Sequence, residues 1–211
     1  MILRSLFDGI EGPIGETEIT GLTADSRKVE PGFVFAALQG MATDGRRFIP
    51  QALEKGATAI LTDRPFDEGT SPVIEVLDAE PRLALAKAAA RFYGAQPETM
   101  VAVTGTNGKS STVDFLRQIW TTAGLKAASM GTLGAVGPNG AIDLGHTTPD
   151  PVAIHDTLSK LAEDGVTHCA MEASSHGLAQ YRLDGVTLSS AAFTNLTQDH
   201  LDYHNTMDEY R

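Results

Sequence analysis

The sequence predicts an α/β fold in two domains, residues 1–95 and 96–211, the second built on a mostly parallel sheet. Three observations predict it. Short apolar runs alternate with stretches of helical periodicity, the pattern of strands joined by crossover helices. Residues Val101-Ala-Val-Thr-Gly-Thr-Asn-Gly-Lys-Ser-Ser-Thr112 read as a buried strand, a glycine-bearing turn and a helix opened by Lys109 and Ser110. Several apolar runs end in polar residues: Thr104-Gly105-Thr106, Glu172-Ala173-Ser174 and Asn195. In a parallel sheet such ends lie together, and ligands bind beyond the carboxyl ends of the strands.

In the first domain, Thr20–Ala24 and Phe33–Leu38 read as strands flanking the turn Glu30-Pro31-Gly32. Phe48–Lys55 suggests a short helix ended by Gly56. Ala57–Leu61 and Val73–Val76 follow as strands. Pro81–Tyr93 is a helix with proline in its first turn and Gly94 past its end. Ala95-Gln-Pro-Glu98 reads as a linker.

In the second domain, Met100–Thr104 is a strand. The helix from Lys109 places Val113, Leu116, Trp120 and Ala123 on one face, and Gly124 closes it. Lys126–Met130 is the next strand. The Gly/Pro/Asn-rich piece Gly131–Gly145 is a loop or hairpin. Asp150 and Pro151 fit the N-cap and first turn of a helix with Ile154, Leu158 and Leu161 inward. His168–Ala173 and Ser190–Thr194 are short apolar strands.

Composition narrows the function classes. Hydrophobic residues make up 42% and charged residues 20%, which suits a globular protein. A net charge of -11 excludes a general nucleic-acid surface, which would be basic. Cys169 is the single cysteine, so no internal disulfide forms, and a reducing, cytoplasmic location is expected. It lies in an apolar run and reads as a small buried side chain. No apolar run reaches the ~18 residues of a membrane span, so no membrane partner is expected.

The 101–112 segment is built for a nucleoside triphosphate. Gly105 and Gly108 let the backbone approach phosphate, and the helix supplies free N–H groups and a positive dipole end. Lys109 reaches the outer phosphates and the Ser110 hydroxyl can ligate Mg²⁺. The common G-x-x-x-x-G-K-[ST] pattern wants glycine where Val103 stands; this chain carries the shorter Gly105-Thr-Asn-Gly-Lys-Ser110.

Four further constellations carry chemistry. Met171-Glu-Ala-Ser-Ser-His-Gly177 sets a carboxylate at a strand end beside hydroxyls and an imidazole. Glu172 reads either as a Mg²⁺ ligand or, with Ser174, as a helix cap. Asp199, His200, Asp202 and His204 form either a metal site or a polar surface loop. Thr147 and Thr148, in His146-Thr-Thr-Pro-Asp150, read as a turn before a helix or as hydrogen-bonding groups near the γ-phosphate. Asp25-Ser-Arg27 and Thr43-Asp-Gly-Arg-Arg47 read as strand terminators or as a seat for the uracil and ribose of a nucleotide sugar.

Taken together, these motifs resemble the Mur ligase family. They stand as Asp25-Ser-Arg27 with Asp44-Gly-Arg46, Thr104-Gly-Thr-Asn-Gly-Lys-Ser110, Thr147-Thr-Pro-Asp150, Glu172-Ala-Ser-Ser-His-Gly-Leu178 and Thr194-Asn-Leu-Thr-Gln-Asp-His-Leu-Asp-Tyr-His204. Each alone is weak; five in order are specific. The resemblance spans nearly the whole chain. It implies a small N-terminal α/β uridine-binding domain and an incomplete P-loop-type central domain.

The activity implied is ATP-dependent amide formation, through an acyl phosphate, that adds the third amino acid to UDP-N-acetylmuramoyl-L-alanyl-D-glutamate. The partners implied are ATP, Mg²⁺, the UDP-N-acetylmuramoyl-dipeptide and a diamino acid, either meso-diaminopimelate or lysine. The whole protein is expected to be a monomer. By resemblance, Ala24, Ser26, Met41, Ala42 and Thr43 line the uridine site. Gly105, Thr106, Asn107, Gly108, Lys109, Ser110 and Ser111 hold the ATP phosphates. Ser110 and Glu172 ligate a first Mg²⁺, and His200 a second; Lys109, Glu172 and His200 form the catalytic set. His146, Thr147, Thr148, Ser174, Gln180 and Arg182 bind the muramoyl-peptide portion. The family's carbamylated lysine would fall just past Arg211, and its third domain is absent, so the chain is expected to be a fragment without turnover. Another Mur-type ligase, a folylpolyglutamate ligase or a non-catalytic nucleotide-binding module are the rival readings.

Overall fold

The computed structural model describes residues 1–40, 43–66 and 73–210. The chain forms two compact units, Met1–Phe92 and Tyr93–Arg211.

The first unit holds a four-stranded parallel sheet in chain order: β1 (Gly21–Thr23), β2 (Phe33–Ala36), β3 (Ala59–Thr62) and β4 (Ile74–Leu77). All four β3 residues are buried, as expected for an inner parallel strand rich in aliphatic residues. Phe35 and Ile60, cross-strand neighbours in register, pack with Ile49 and Ala52 of helix α2 (Ile49–Glu54). Helix α3 (Pro81–Tyr93) buries Leu85, Ala86, Ala88 and Ala89. Near the N-terminus lies α1 (Leu3–Leu6), which buries both leucines; four residues are too few for helical periodicity to register in the sequence.

The second unit carries a six-stranded sheet. Its strands are β5 (Thr99–Thr104), β6 (Ala127–Gly131), β7 (Gly134–Gly137), β8 (Gly140–Ile142), β9 (His168–Glu172) and β10 (Ser190–Phe193). The order is β10-β5-β9-β6-β7-β8. The first four pair in parallel, and β7 and β8 add an antiparallel hairpin beside β6. Residues 131–145 therefore contain a hairpin. Strand alternation sorts the core onto two faces. Met100, Ala102, Cys169 and Met171 point to the side covered by Ile154, Leu158 and Leu161 of α5 (Pro151–Glu163). Val101, Val103 and Ala170 point to the side covered by Val113, Leu116 and Trp120 of α4 (Lys109–Thr122). Burial pushes the Cys169 thiol up to about 12, so it stays a protonated core side chain.

Two expectations are corrected here. Ala123 is the exposed C-cap of α4, one residue past the packed stripe. Strand β10 is exposed along its length, with Phe193 59% accessible, and it is the edge strand of the sheet. The segment read as a linker is fastened to the second unit. Gln96 Nε2 donates to the Thr187 carbonyl at 2.9 Å, and its Oε1 accepts from Thr187 N–H at 3.0 Å.

Candidate active site

The carboxyl ends of β5, β6, β9 and β10 lie at one edge of the second sheet, because all four run the same way. A cavity of about 500 Å³ opens there. The loop Gly105–Gly108 leads from β5 into α4. Gly108 caps the helix with φ +86°, a left-handed conformation favouring glycine. Thr112 N–H is the first to close a helical bond, on Gly108 O at 3.0 Å, which leaves the amides of the preceding turn open toward the cavity. Lys109 folds back along this loop, its Nζ donating to the carbonyls of Gly105 at 2.6 Å and Thr106 at 3.0 Å.

Glu172, the last residue of β9, is 2% exposed. Its carboxylate accepts from Thr132 N–H at 2.8 Å and the Thr132 hydroxyl at 3.4 Å. Glycine at 131 leaves room for this carboxylate: a Cβ there would lie 2.1 Å from Glu172 Oε1 and would displace it. Ser174 caps helix α6 (Ser175–Ala179), its Oγ accepting from Gly177 N–H at 3.1 Å. Of the pair offered as caps, Ser174 caps and Glu172 faces the cavity.

Thr148 ties the next wall to this one. Its hydroxyl donates to Glu172 O and accepts from Ser174 N–H, both at 3.1 Å. Thr147 and Thr132 hydroxyls meet at 3.0 Å. Asp150 caps α5 by accepting from Val152 and Ala153 N–H. Arg182 Nη1 donates to Thr148 O at 2.6 Å, and its other nitrogens donate to Gln180 Oε1.

Thr106 to Ser110, His146 to Thr148, Glu172, Ser174, Arg182 and His200 all line this one cavity. Gly105 instead lines a neighbouring cavity of about 300 Å³, Ser111 lies exposed in the first turn of α4, and Gln180 supports Arg182. The cavity also takes in Thr132, which sequence reasoning missed as a site residue, and His176, the imidazole of the 171–177 constellation, to which the sequence assigned no separate role. Thr132 follows the end of β6, so the strand-end rule that picked out Glu172 could have found it.

The 199–204 segment is a helical turn, α7 (Leu201–His204), where the sequence left a metal site or a surface loop open. His204 is buried and its ring lies 5.7 Å from that of His176. Among the described residues no group of three or more His, Cys, Asp or Glu side chains is placed to hold a metal. Ser110 and Glu172, both oxygen donors, share the cavity with His200. That donor set suits Mg²⁺, which takes few protein ligands and fills its shell with phosphate and water.

In the first unit, residues 24–27 follow β1 and residues 37–40 follow β2, so the adjacent parallel strands bring both to one end of that sheet. Ala24 is exposed there. Ser26 is 7% exposed and donates to Gln51 Oε1 at 2.7 Å. Asp25 caps the turn on Arg27 N–H, and the Arg27 guanidinium brings its carboxyl down to about 2. Asp44 likewise caps Arg46 and pairs with its guanidinium. The carbonyl of Thr43 accepts from Gly40 N–H at 3.0 Å. Met41 and Ala42 lie outside the described residues.

Known proteins share this arrangement. The family described as the Mur ligase middle domain matches residues 103–211, and the Mur ligase family catalytic domain matches residues 18–93. The chain belongs to the Mur ligase family. It is 56% identical over 201 residues to a UDP-N-acetylmuramoyl-L-alanyl-D-glutamate--2,6-diaminopimelate ligase of Brucella melitensis, covering 94% of this chain and 41% of that protein. It is 53% identical to the same-named ligase of Bradyrhizobium diazoefficiens, covering 100% of this chain and 44% of the relative. This Mur ligase chain thus spans about two-fifths of the length of those relatives. A solved structure of a ligase of that name superposes with a TM-score of 0.86 at 30% identity, covering all of this chain and 43% of its own. A MurF ligase from Thermotoga maritima, solved with ADP, shares the fold at a TM-score of 0.61 and 22% identity, covering 92% of this chain and 41% of its own.

Proposed function

We propose that the whole protein joins diaminopimelate to UDP-N-acetylmuramoyl-L-alanyl-D-glutamate in an ATP-dependent reaction of peptidoglycan synthesis. The observation that carries this reading is the single cavity in which the loop before α4 faces Glu172, Thr147, Thr148 and Arg182. The identity to ligases of that name supports this choice of substrates. Residues 1–95 would take the uridine half of the substrate and residues 96–211 the ATP phosphates. ATP would supply the phosphoryl group, and Mg²⁺ would offset its charge.

Each residue has a physical task. The open amides of Gly108 to Ser110 would bind phosphate oxygens at the positive end of α4. Lys109 would leave the Gly105 and Thr106 carbonyls for the transferring phosphoryl group, where a fixed cation lowers the barrier most. Ser110 and Glu172 would hold Mg²⁺, and His200 a second ion. Thr132 fixes the Glu172 carboxylate by donating to both oxygens. Arg182, already aimed by Gln180 and the Thr148 carbonyl, would receive the anionic muramoyl-peptide portion. The substrate carboxylate would attack the γ-phosphorus and release ADP. The diaminopimelate amine would then attack the acyl phosphate, forming the amide and freeing phosphate and a proton. No described helix is long and apolar enough to cross a membrane.

The whole protein is expected to release phosphate only when ATP, Mg²⁺, the UDP-linked dipeptide and diaminopimelate are all present, with lysine a poor replacement. Phosphate release that ignores the amino acid would reject ligation. Separately, the present chain should bind UDP in a calorimeter; a folded chain giving no heat with UDP or with the full substrate would reject the uridine site.

A further inference from the structure

The segment that follows β10 is wrapped around the phosphate loop. The side-chain amide of Asn195 grips both backbone polar groups of one loop residue: Asn107 N–H donates to Oδ1 at 3.1 Å, and Nδ2 donates to Asn107 O at 2.9 Å. The single proton of Thr194 Oγ1 lies between that same carbonyl, 2.7 Å away, and Thr104 O, 3.2 Å away. Thr106 N–H donates to Asn195 O at 2.9 Å. Two residues further, Thr197 N–H donates to Thr106 Oγ1 at 2.9 Å, and the Tyr210 hydroxyl meets that same oxygen at 3.0 Å.

We infer that Asn195 is a positioning residue for the triphosphate, acting through the Gly105–Gly108 loop and not by touching phosphate itself. This rests on the nucleotide-binding reading above. A loop without regular structure presents its N–H groups to an anion in few of its conformations. Fixing it beforehand removes that ordering cost from binding. Only a carboxamide meets the geometry found here. An N–H donor must face the Asn107 carbonyl while an acceptor faces its N–H, and Asn offers both on one short side chain. Asp lacks the donor and would set a second oxygen against the carbonyl. Asn195 is itself exposed, so these bonds compete with water and contribute little to global stability. Their effect falls on the order of the loop.

The experiment compares the wild-type chain, Asn195→Ala and Asn195→Asp. It measures MgATP affinity by calorimetry, the melting temperature without nucleotide, and exchange of the Asn107 amide by NMR. Asn195→Ala is expected to weaken MgATP by about tenfold or more, leave the melting temperature nearly unchanged and release the Asn107 amide to fast exchange. Asn195→Asp, near-isosteric and therefore the variant to read if Ala fails to fold, should weaken MgATP at least as much. A merely structural residue would instead lower the melting temperature and leave the affinity of the folded chain intact. Folded variants that bind MgATP within twofold of wild type overturn the inference and leave the nucleotide site standing. A wild-type chain that binds no MgATP overturns the nucleotide reading and this inference with it.

Discussion

Lys109→Ala in the whole ligase is expected to cut amino-acid-dependent phosphate release by at least ~10²-fold, the scale set by removing one preorganised electrostatic donor. The melting temperature should barely move. Lys109 opens α4 and is not part of either apolar cluster of the second unit. The only described bonds of its ammonium run to the Gly105 and Thr106 carbonyls. The loss should therefore appear in kcat, with UDP binding by the first unit unchanged. Lys109→Arg keeps the charge but replaces a compact ammonium with a planar fork, and should recover only part of the rate. Phosphate release by Lys109→Ala within a few fold of wild type would mean that the lysine shapes the loop and does not meet the phosphoryl group.

The parts of this fold that the sequence displays are those with a repeating or punctuated signal. Helix α3 begins at Pro81 and ends at Tyr93, where proline and glycine mark both ends. Helix α5 begins behind Asp150, whose carboxylate accepts from two first-turn amides. The inner strands are legible because both their faces are buried, so nearly every residue is apolar. Elements of about one turn show no repeat and are not legible: α1, α7 and the helix α8 (Met207–Tyr210) have four residues each. The site divides the same way. Glu172 and the loop before α4 stand out because a strand end or a glycine-lysine turn announces them. Thr132 also follows a strand end, but the Gly-rich stretch around it reads as a loop, and Asn195 stands out as a polar strand end and as part of the 194–204 motif, with no partner indicated. Its grip on Asn107 is a pairing of residues 88 positions apart, which a linear reading of one chain does not contain.

Gly105→Ala is expected to be strongly damaging in the second unit, for two independent reasons. Gly105 has φ +125°, a backbone conformation that L side chains rarely adopt. Strain of that kind costs about 1–3 kcal/mol. A Cβ at this position would also lie 2.1 Å from Thr194 Oγ1 and about 3 Å from the backbone of Asn195. The threonine hydroxyl cannot turn away freely, because its proton lies between the carbonyls of Thr104 and Asn107. Relieving the clash means lifting the 194–197 segment off the loop, a rearrangement worth roughly a further 1–3 kcal/mol. The sum, about 2–6 kcal/mol, should show as a lower urea midpoint and as loss of MgATP binding in whatever remains folded. Gly124→Ala is the matched comparison. Its φ is also left-handed, at +85°, but nothing lies within 4 Å of the added Cβ, so only the backbone term applies. If the two variants melt alike and both bind MgATP as wild type does, the Thr194-Asn195 segment does not clamp the loop in solution. If Gly105→Ala alone loses stability and nucleotide together, the close approach of those two strand ends is what holds the phosphate loop in place.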